Sequence, residues 1–225
     1  MTGPIIYTAE MDYGVEERGR HGVFTDWYAN RHAPDLFKLG ARSVAGYQAV
    51  IGGLAVMSVY EFPDAGVFLT PAYPRMREGD LYGADVRATR AGGKSAQTLY
   101  LERVALPQPV AGELINADWI SVLRFAMPES EDKALIDWIR AEAQKQVASN
   151  GVRRIRYATR IAQAIGKGSF RPRCMIFAEW TAQPPASADL LPALKSRFGT
   201  AITAAEVFVG WRAYPWPDDR ASLRY

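Results

Sequence analysis

Within Phe24 to Asp35 (FTDWYANRHAPD) the chain sets large aromatic side chains, an imidazole and two carboxylates. Phe24, Trp27, Tyr28, Arg31 and His32 follow the spacing of one helix face, so His32 would point at whatever that face covers. An imidazole with an unperturbed pKa of about 6.5 can accept and return a proton near neutral pH. The competing reading is a core histidine packed on a sheet with its nitrogens bonded to backbone, because aromatic stripes at helical spacing usually belong to a core. Pro34 removes a backbone donor and disfavours helical geometry at Ala33, which predicts a helix that breaks or kinks just beyond the imidazole, where a cleft commonly opens.

Proton transfer needs more than a base: it needs a donor for the developing oxyanion and a dry pocket. Tyr28, Tyr60 and Tyr47 are the candidate donors, with strand register deciding which of them face the site. Trp27 supplies a ring for a flat substrate to pack on. Asp26 and Asp35 read as helix-end charges, with orientation of the imidazole as the sharper alternative. Arg124 lies inside the otherwise apolar run WISVLRFAM and implies either an ion pair or a partner for a substrate carboxylate.

A length of 225 residues, 48% hydrophobic and 23% charged, is ordinary globular material for one large domain or two small ones. The single cysteine, Cys174, forms no internal disulfide, and two histidines, His21 and His32, exclude a multi-histidine metal site. A reducing cytoplasm without structural zinc is the expectation. The start, MTGPIIYTAEMDYG, has no basic region before its apolar run and reads as a first strand rather than a signal peptide; no run approaches transmembrane length. Residues 1 to 116 carry 11 Lys+Arg against 13 Asp+Glu, and residues 117 to 225 carry 16 against 11. Arg153, Arg154, Arg156, Arg160, Arg171 and Arg173 make most of that excess. No nucleic-acid recognition pattern accompanies them, so a solvated strand face is expected there, with attraction of a small carboxylate-bearing ligand as the middle reading.

The elements that must position these residues follow from periodicity and turn signals. Pro4 to Met11 is a strand; the Phe24 helix closes at Gly40; Ser43 to Ile51 and Leu54 to Phe62 form a hairpin across Gly52-Gly53. Pro63 to Ser95 is irregular, and its aromatics Phe68, Tyr73 and Tyr82 suit either a lid or an insertion packed on the sheet edge. Ala96 to Leu106 is a fourth strand and LPQPVAGEL a linker. After it come strand Trp119 to Met127, helix Glu129 to Asn150, strands Val152 to Ile165 and Cys174 to Trp180, helix Ala188 to Phe198 and strand Glu206 to Tyr214. Each half is β-α-β-β-α-β, the ferredoxin-like order.

The halves also match in letters. Asp26-Trp27 recurs as Asp137-Trp138, Tyr47 and Ile51 as Tyr157 and Ile161, Met57 and Glu61 as Met175 and Glu179. Duplication explains this economically, with repeats over 1–108 and 117–225. A four-stranded sheet with both helices on one side leaves its other face bare, so the two units are expected to close on each other as one α+β barrel-like pseudo-dimer. DWYANRHAPD becomes DWIRAEAQKQ in the second half, so Tyr28 and His32 are where the first half differs from the scaffold.

This arrangement, with Trp27-Tyr28 followed by His32-Ala33-Pro34, resembles the dimeric α+β barrel superfamily, particularly its EthD-like branch. The resemblance covers the whole chain as a tandem duplication, while the motif lies in the first half alone. It implies a small-molecule pocket between sheet and helices, often for an acidic or aromatic compound, with His32 as general acid/base and Tyr28 as its hydrogen-bonding partner. Cofactor-free monooxygenases, polyketide cyclases and muconolactone-type isomerases belong to that superfamily, and so do haem proteins of the chlorite dismutase type. The resulting expectation is a cofactor-independent lyase, isomerase or cyclase acting on a small aromatic or polyketide-like carbonyl compound, with catalytic His32 and Tyr28 and substrate contacts from Trp27, Tyr47, Tyr60 and Arg124. The alternative is a haem-binding or non-catalytic ligand-binding barrel. Neither a nucleic acid nor a membrane is expected as partner, and the aromatic tail Trp211 to Tyr225 would suit pairing of two pseudo-dimers.

Overall fold

The computed structural model describes residues 2–13, 27–80, 83, 91–110, 113–149, 151–161, 171–185 and 189–214. The expectations for Phe24, Asp26, His21, Tyr82 and the tail beyond Tyr214 lie outside them. The described strands are β1 (Thr2–Tyr13), β2 (Ser43–Ile51), β3 (Val56–Asp64), β4 (Ala91–Leu106), β5 (Trp119–Ala126), β6 (Val152–Arg160), β7 (Cys174–Trp180) and β8 (Thr203–Tyr214). The α-helices are α1 (Ala33–Lys38), α2 (Ala72–Gly79), α3 (Asp132–Ser149) and α4 (Leu191–Phe198). No helix among the described residues is long and apolar enough to cross a membrane.

The strands close into one antiparallel barrel in the order β1-β3-β2-β8-β5-β7-β6-β4. Each half contributes the order β4-β1-β3-β2 or β8-β5-β7-β6, and exchanging the halves leaves the cyclic order unchanged. The two sheets are therefore joined at their edges, β2 to β8 and β4 to β6, instead of merely facing each other. Closure leaves no unpaired strand edge. The β2–β3 hairpin turns through Gly52 and Gly53 at φ +63° and +70°. A Cβ at Gly52 would lie 2.0 Å from the Val207 carbonyl oxygen, so glycine is required by both conformation and space.

Because side chains alternate along each strand, the sheet separates three cores. Ile6, Tyr47, Val59, Tyr100, Val122 and Phe208 fill the barrel interior. Ile5, Tyr7, Tyr60 and Phe62 face outward under the helices of the first half. Leu123, Ile155, Ile176 and Trp180 do the same in the second, where α3 docks through Leu135, Ile139 and Ala143 at steps of four.

The barrel interior also holds charge: Arg153 and Arg160 are exposed as expected of a solvated strand face, but Arg154 and Arg156 of the same strand depart from it. Arg154 and Arg156 are buried at 1% and 2% exposure. Arg156 Nη1 lies 2.9 Å from Glu61 and 2.8 Å from Glu102, and its Nε is 2.9 Å from Glu179. Arg154 pairs with Glu113 at the same mouth. Elsewhere in the interior Arg124 Nη2 is 2.7 Å from Glu10, whose other oxygen meets Arg171 at 2.6 Å. Alternation hid these pairs: Arg124, Arg154 and Arg156 sit on the inward phase of their strands, and only barrel closure supplies the facing carboxylates.

Candidate active site

The segment that carries His32 enters the fold as a wide π-helical turn, Tyr28–His32, running into α1. The Ala33 N–H bonds to the Tyr28 carbonyl five residues back, so the chain passes Pro34 without the break expected there. A proline ring clashes with the carbonyl four residues earlier in a regular α-helix, and a single wide turn relieves that clash. In an α-helix residues five apart are rotated by about 140° from each other. Widening the turn brings them onto one side: the Trp27 and His32 rings stack with centroids 4.8 Å apart and planes 25° off parallel. Arg31, expected on the same face, is exposed instead.

His32 is 8% exposed, and two phenol rings surround it. Tyr28 lies at 5.6 Å and Tyr60 at 6.2 Å, the latter with its plane 81° from that of the imidazole. Tyr60 reaches this group because it occupies the outward phase of β3, opposite Tyr7 on β1, and the two rings stack at 4.9 Å. The Tyr7 hydroxyl is 2.7 Å from that of Tyr73, one donating to the other. Burial pushes the phenols of Tyr7, Tyr28 and Tyr60 well above their ordinary 10, so all three stay protonated at neutral pH. Trp27 is fixed from behind, its Nε1 donating to Asp80 Oδ2 at 2.8 Å while Asp80 Oδ1 accepts from Gly83 N.

Four of the six residues singled out in the sequence thus come together: Trp27, Tyr28, His32 and Tyr60. The other two lie across the sheet. Tyr47 pairs with Met57 on the inward phase, donates to the Ala117 carbonyl at 3.1 Å and packs under Arg212. Arg124 takes the ion-pair alternative, held by Glu10 with Met57 Sδ 2.9 Å away, so it does not face the His32 cluster. Tyr7 and Asp80 were not singled out in the sequence. Strand alternation places Tyr7 outward with Ile5 and Ala9, but the contact from Asp80 to Trp27 spans 53 positions and has no local signature. The aromatics expected of the irregular segment do pack on the sheet, Phe68 on Tyr7 and Phe62 and Tyr73 on Phe68.

Beside the π turn, a surface cavity of about 500 Å³ opens between α1 and α2, with Asn30, Arg31, Asp35, Lys38, Arg75 and Asp80 on its wall. Asp35 is engaged by Lys38 at 2.8 Å. A second cavity, of about 400 Å³ and largely apolar, lies on the outer sheet face of the second half. His32 lines neither.

No family model and no curated protein matches the chain. Solved structures do. A monooxygenase candidate from Lactobacillus acidophilus NCFM superposes with a TM-score of 0.59 at 12% identity, covering 95% of each chain. The fold is that of the dimeric α+β barrels. An anthrone oxidase-like protein matches with a TM-score of 0.56 at 10% identity over 95% of this chain and 94% of the other. A haem-binding protein from Thermus thermophilus matches at 0.52 and 12% identity, over 94% and 92%. At such identities the likeness is one of fold.

Haem among these neighbours raises the question of an axial ligand, ordinarily His, Cys, Met or Tyr. None of these types lines the second-half cavity. His32 is 8% exposed and lines neither cavity, so neither offers a macrocycle room beside its ring nitrogens among the described residues. The described residues do not fit haem at either place.

Proposed function

We propose that the protein is a cofactor-independent enzyme of lyase, isomerase or cyclase type acting on a small aromatic or polyketide-like carbonyl compound, with the first half as its active half. The observation that carries this reading is the buried group in which the His32 imidazole lies among Trp27, Tyr28 and Tyr60. In this reading His32 removes a proton from the carbon next to the substrate carbonyl and returns it to carbon or to a leaving oxygen. Tyr28 and Tyr60, held protonated by burial, donate to the oxygen on which negative charge develops. Trp27 keeps the imidazole plane fixed, and Asp80 keeps Trp27 fixed. The cavity between α1 and α2 opens beside the π turn without reaching His32, so in this reading the side chains between them part to admit substrate, and Arg31, Lys38 and Arg75 suit a carboxylate on the incoming molecule. The anthrone oxidase-like neighbour supplies the analogy of an aromatic ketone on this fold. Descent of the two halves from one duplicated β-α-β-β-α-β unit, over 1–108 and 117–225, belongs to the same proposal and is supported by the exchange-invariant strand order.

The test is a screen of aromatic and polyketide-like ketones by hydrogen–deuterium exchange at the acidic carbon, repeated with His32→Ala and Tyr28→Phe. Exchange lost in His32→Ala at an unchanged melting temperature supports the assignment. Exchange at the native rate in that variant refutes it. A Soret band in the purified protein would remove the cofactor-free reading altogether.

A further inference from the structure

The second-half cavity has a structural cause. Counting back from the outward pairs Ile5–Phe62 on β1–β3 and Trp119–Trp180 on β5–β7, the next outward pair is Tyr7–Tyr60 in the first half and Ser121–Ala178 in the second. The helix above differs in the same sense, with Tyr28 and His32 over the first sheet and Ile139 and Ala143 over the second. Three phenols and an imidazole fill the space in one half. In the other, smaller side chains leave about 400 Å³ empty, a volume within the range of small-molecule sites.

We propose that this cavity is a binding site for a neutral, mainly apolar ring compound that carries one hydrogen-bond acceptor. The wall is made by Leu123, Ile155, Ile176, Ala178, Trp180 and Val209. Among the described residues no Lys, Arg or Glu lines it, and its one acid, Asp189, accepts the Leu191 N–H at the start of α4 at 2.9 Å. Nothing in the described wall therefore balances a negative charge on a ligand. One polar group is aimed for use: Trp180 Nε1 donates to Ser121 Oγ at 2.9 Å, which leaves the Ser121 hydroxyl proton to be given to a ligand carbonyl or ether. Gln146 of α3 and Gln183 stand at the rim, where a ligand's polar edge meets water. The site does not depend on His32 or on the chemistry proposed for the first half.

The naphthyl ketone Prodan is neutral, flat and bears one carbonyl, and its emission reports polarity. Titrated against the native protein it binds saturably in the second-half cavity with a blue shift. Gln146→Trp at the rim and Val207→Trp on the β8 wall each fill the opening and weaken it by about tenfold or more, Ser121→Ala by about fivefold, and His32→Ala leaves it unchanged. The anionic 1-anilinonaphthalene-8-sulfonate binds at least about tenfold more weakly than Prodan. The proposal is overturned by an absence of saturable Prodan binding, by affinities in both tryptophan variants within twofold of native, or by equal binding of the anion. The two tryptophan substitutions lie on different elements, so misfolding of one leaves the other to decide.

Discussion

Arg156→Met removes the centre of the ionic group at one mouth of the barrel, and its effect can be worked out in advance. The guanidinium is 2% exposed and meets three carboxylates, those of Glu61, Glu102 and Glu179, at 2.8 to 2.9 Å. Glu61 keeps hydrogen bonds from Ser43 Oγ and the Ile115 N–H, both 2.6 Å, and Glu179 keeps Arg154 at 3.6 Å. The variant nevertheless holds three carboxylates within one desolvated space. Breaking a buried pair costs about 3–5 kcal/mol because an uncompensated charge remains. In a chain of this size that is a fall in melting temperature of roughly 6–20 °C.

The pH dependence gives the sharper check. Burial already holds Glu102 above its ordinary 4.5 in spite of Arg156 beside it. A carboxyl whose folded value exceeds its unfolded one favours the folded state below the unfolded value, and that contribution is lost as pH rises through the folded value. Without Arg156 the Glu102 value rises further, so the destabilisation should be larger at pH 8 than at pH 5. Urea denaturation of native and variant protein at both pH values measures this. A loss under about 1 kcal/mol at pH 8, or an equal loss at both, would show that the three carboxylates are not desolvated together and refute the reasoning.

Further expectations concern other parts of the fold. Glu113 accepts the Val110 N–H and meets Arg154 and Arg153, which brings it down to about 2 from 4.5; its stabilising effect is present above 4.5 and is lost as pH falls from there toward 2. Glu113→Gln should therefore flatten the acid limb of a melting-temperature profile over that interval, and an unchanged limb would contradict the assignment. Gly83→Ala places a Cβ 2.4 Å from Trp27 Nε1 and 2.0 Å from Asp80 Oδ2, so the hydrogen bond between them should break. The cost is about 1–2 kcal/mol, and Trp27 fluorescence should shift; an unmoved spectrum would argue against the close approach. Leu135→Ala, at a fully buried position of α3, should cost about 2–5 kcal/mol in denaturant unfolding, with a loss below 1 kcal/mol speaking against docking of α3 through that residue.

The site was legible in part because two of its determinants are local. Trp27, Tyr28 and His32 fall within one turn of chain, and period-two alternation with turn signals placed the strands on which Tyr60, Tyr47 and Arg124 lie. What alternation leaves open is phase. A one-residue change in register exchanges the inner and outer face of a strand, and this is why Tyr60 and Tyr47, both plausible donors in the sequence, end on opposite sides of the sheet. Proline chemistry correctly marked Pro34 as special, but a wide turn costs less than a broken helix when the aromatic residues flanking it are buried, so a π turn formed.

From the order of its apolar and turn residues alone, the chain determined eight strands, the hairpin at Gly52-Gly53 and the β-α-β-β-α-β sequence of elements in each half, because hydrophobic period and glycine conformation are properties of a few neighbouring residues. Barrel closure belongs to the tertiary structure. It brought Glu61 to Arg156 across 95 positions, turned Arg154 and Arg156 of an apparently surface run inward to buried carboxylates, and set Ser121 and Ala178 opposite α3 where a cavity opens. Those contacts depend on which strand edges pair and in what register, and that choice is made by the burial of all three cores at once, not by any segment separately.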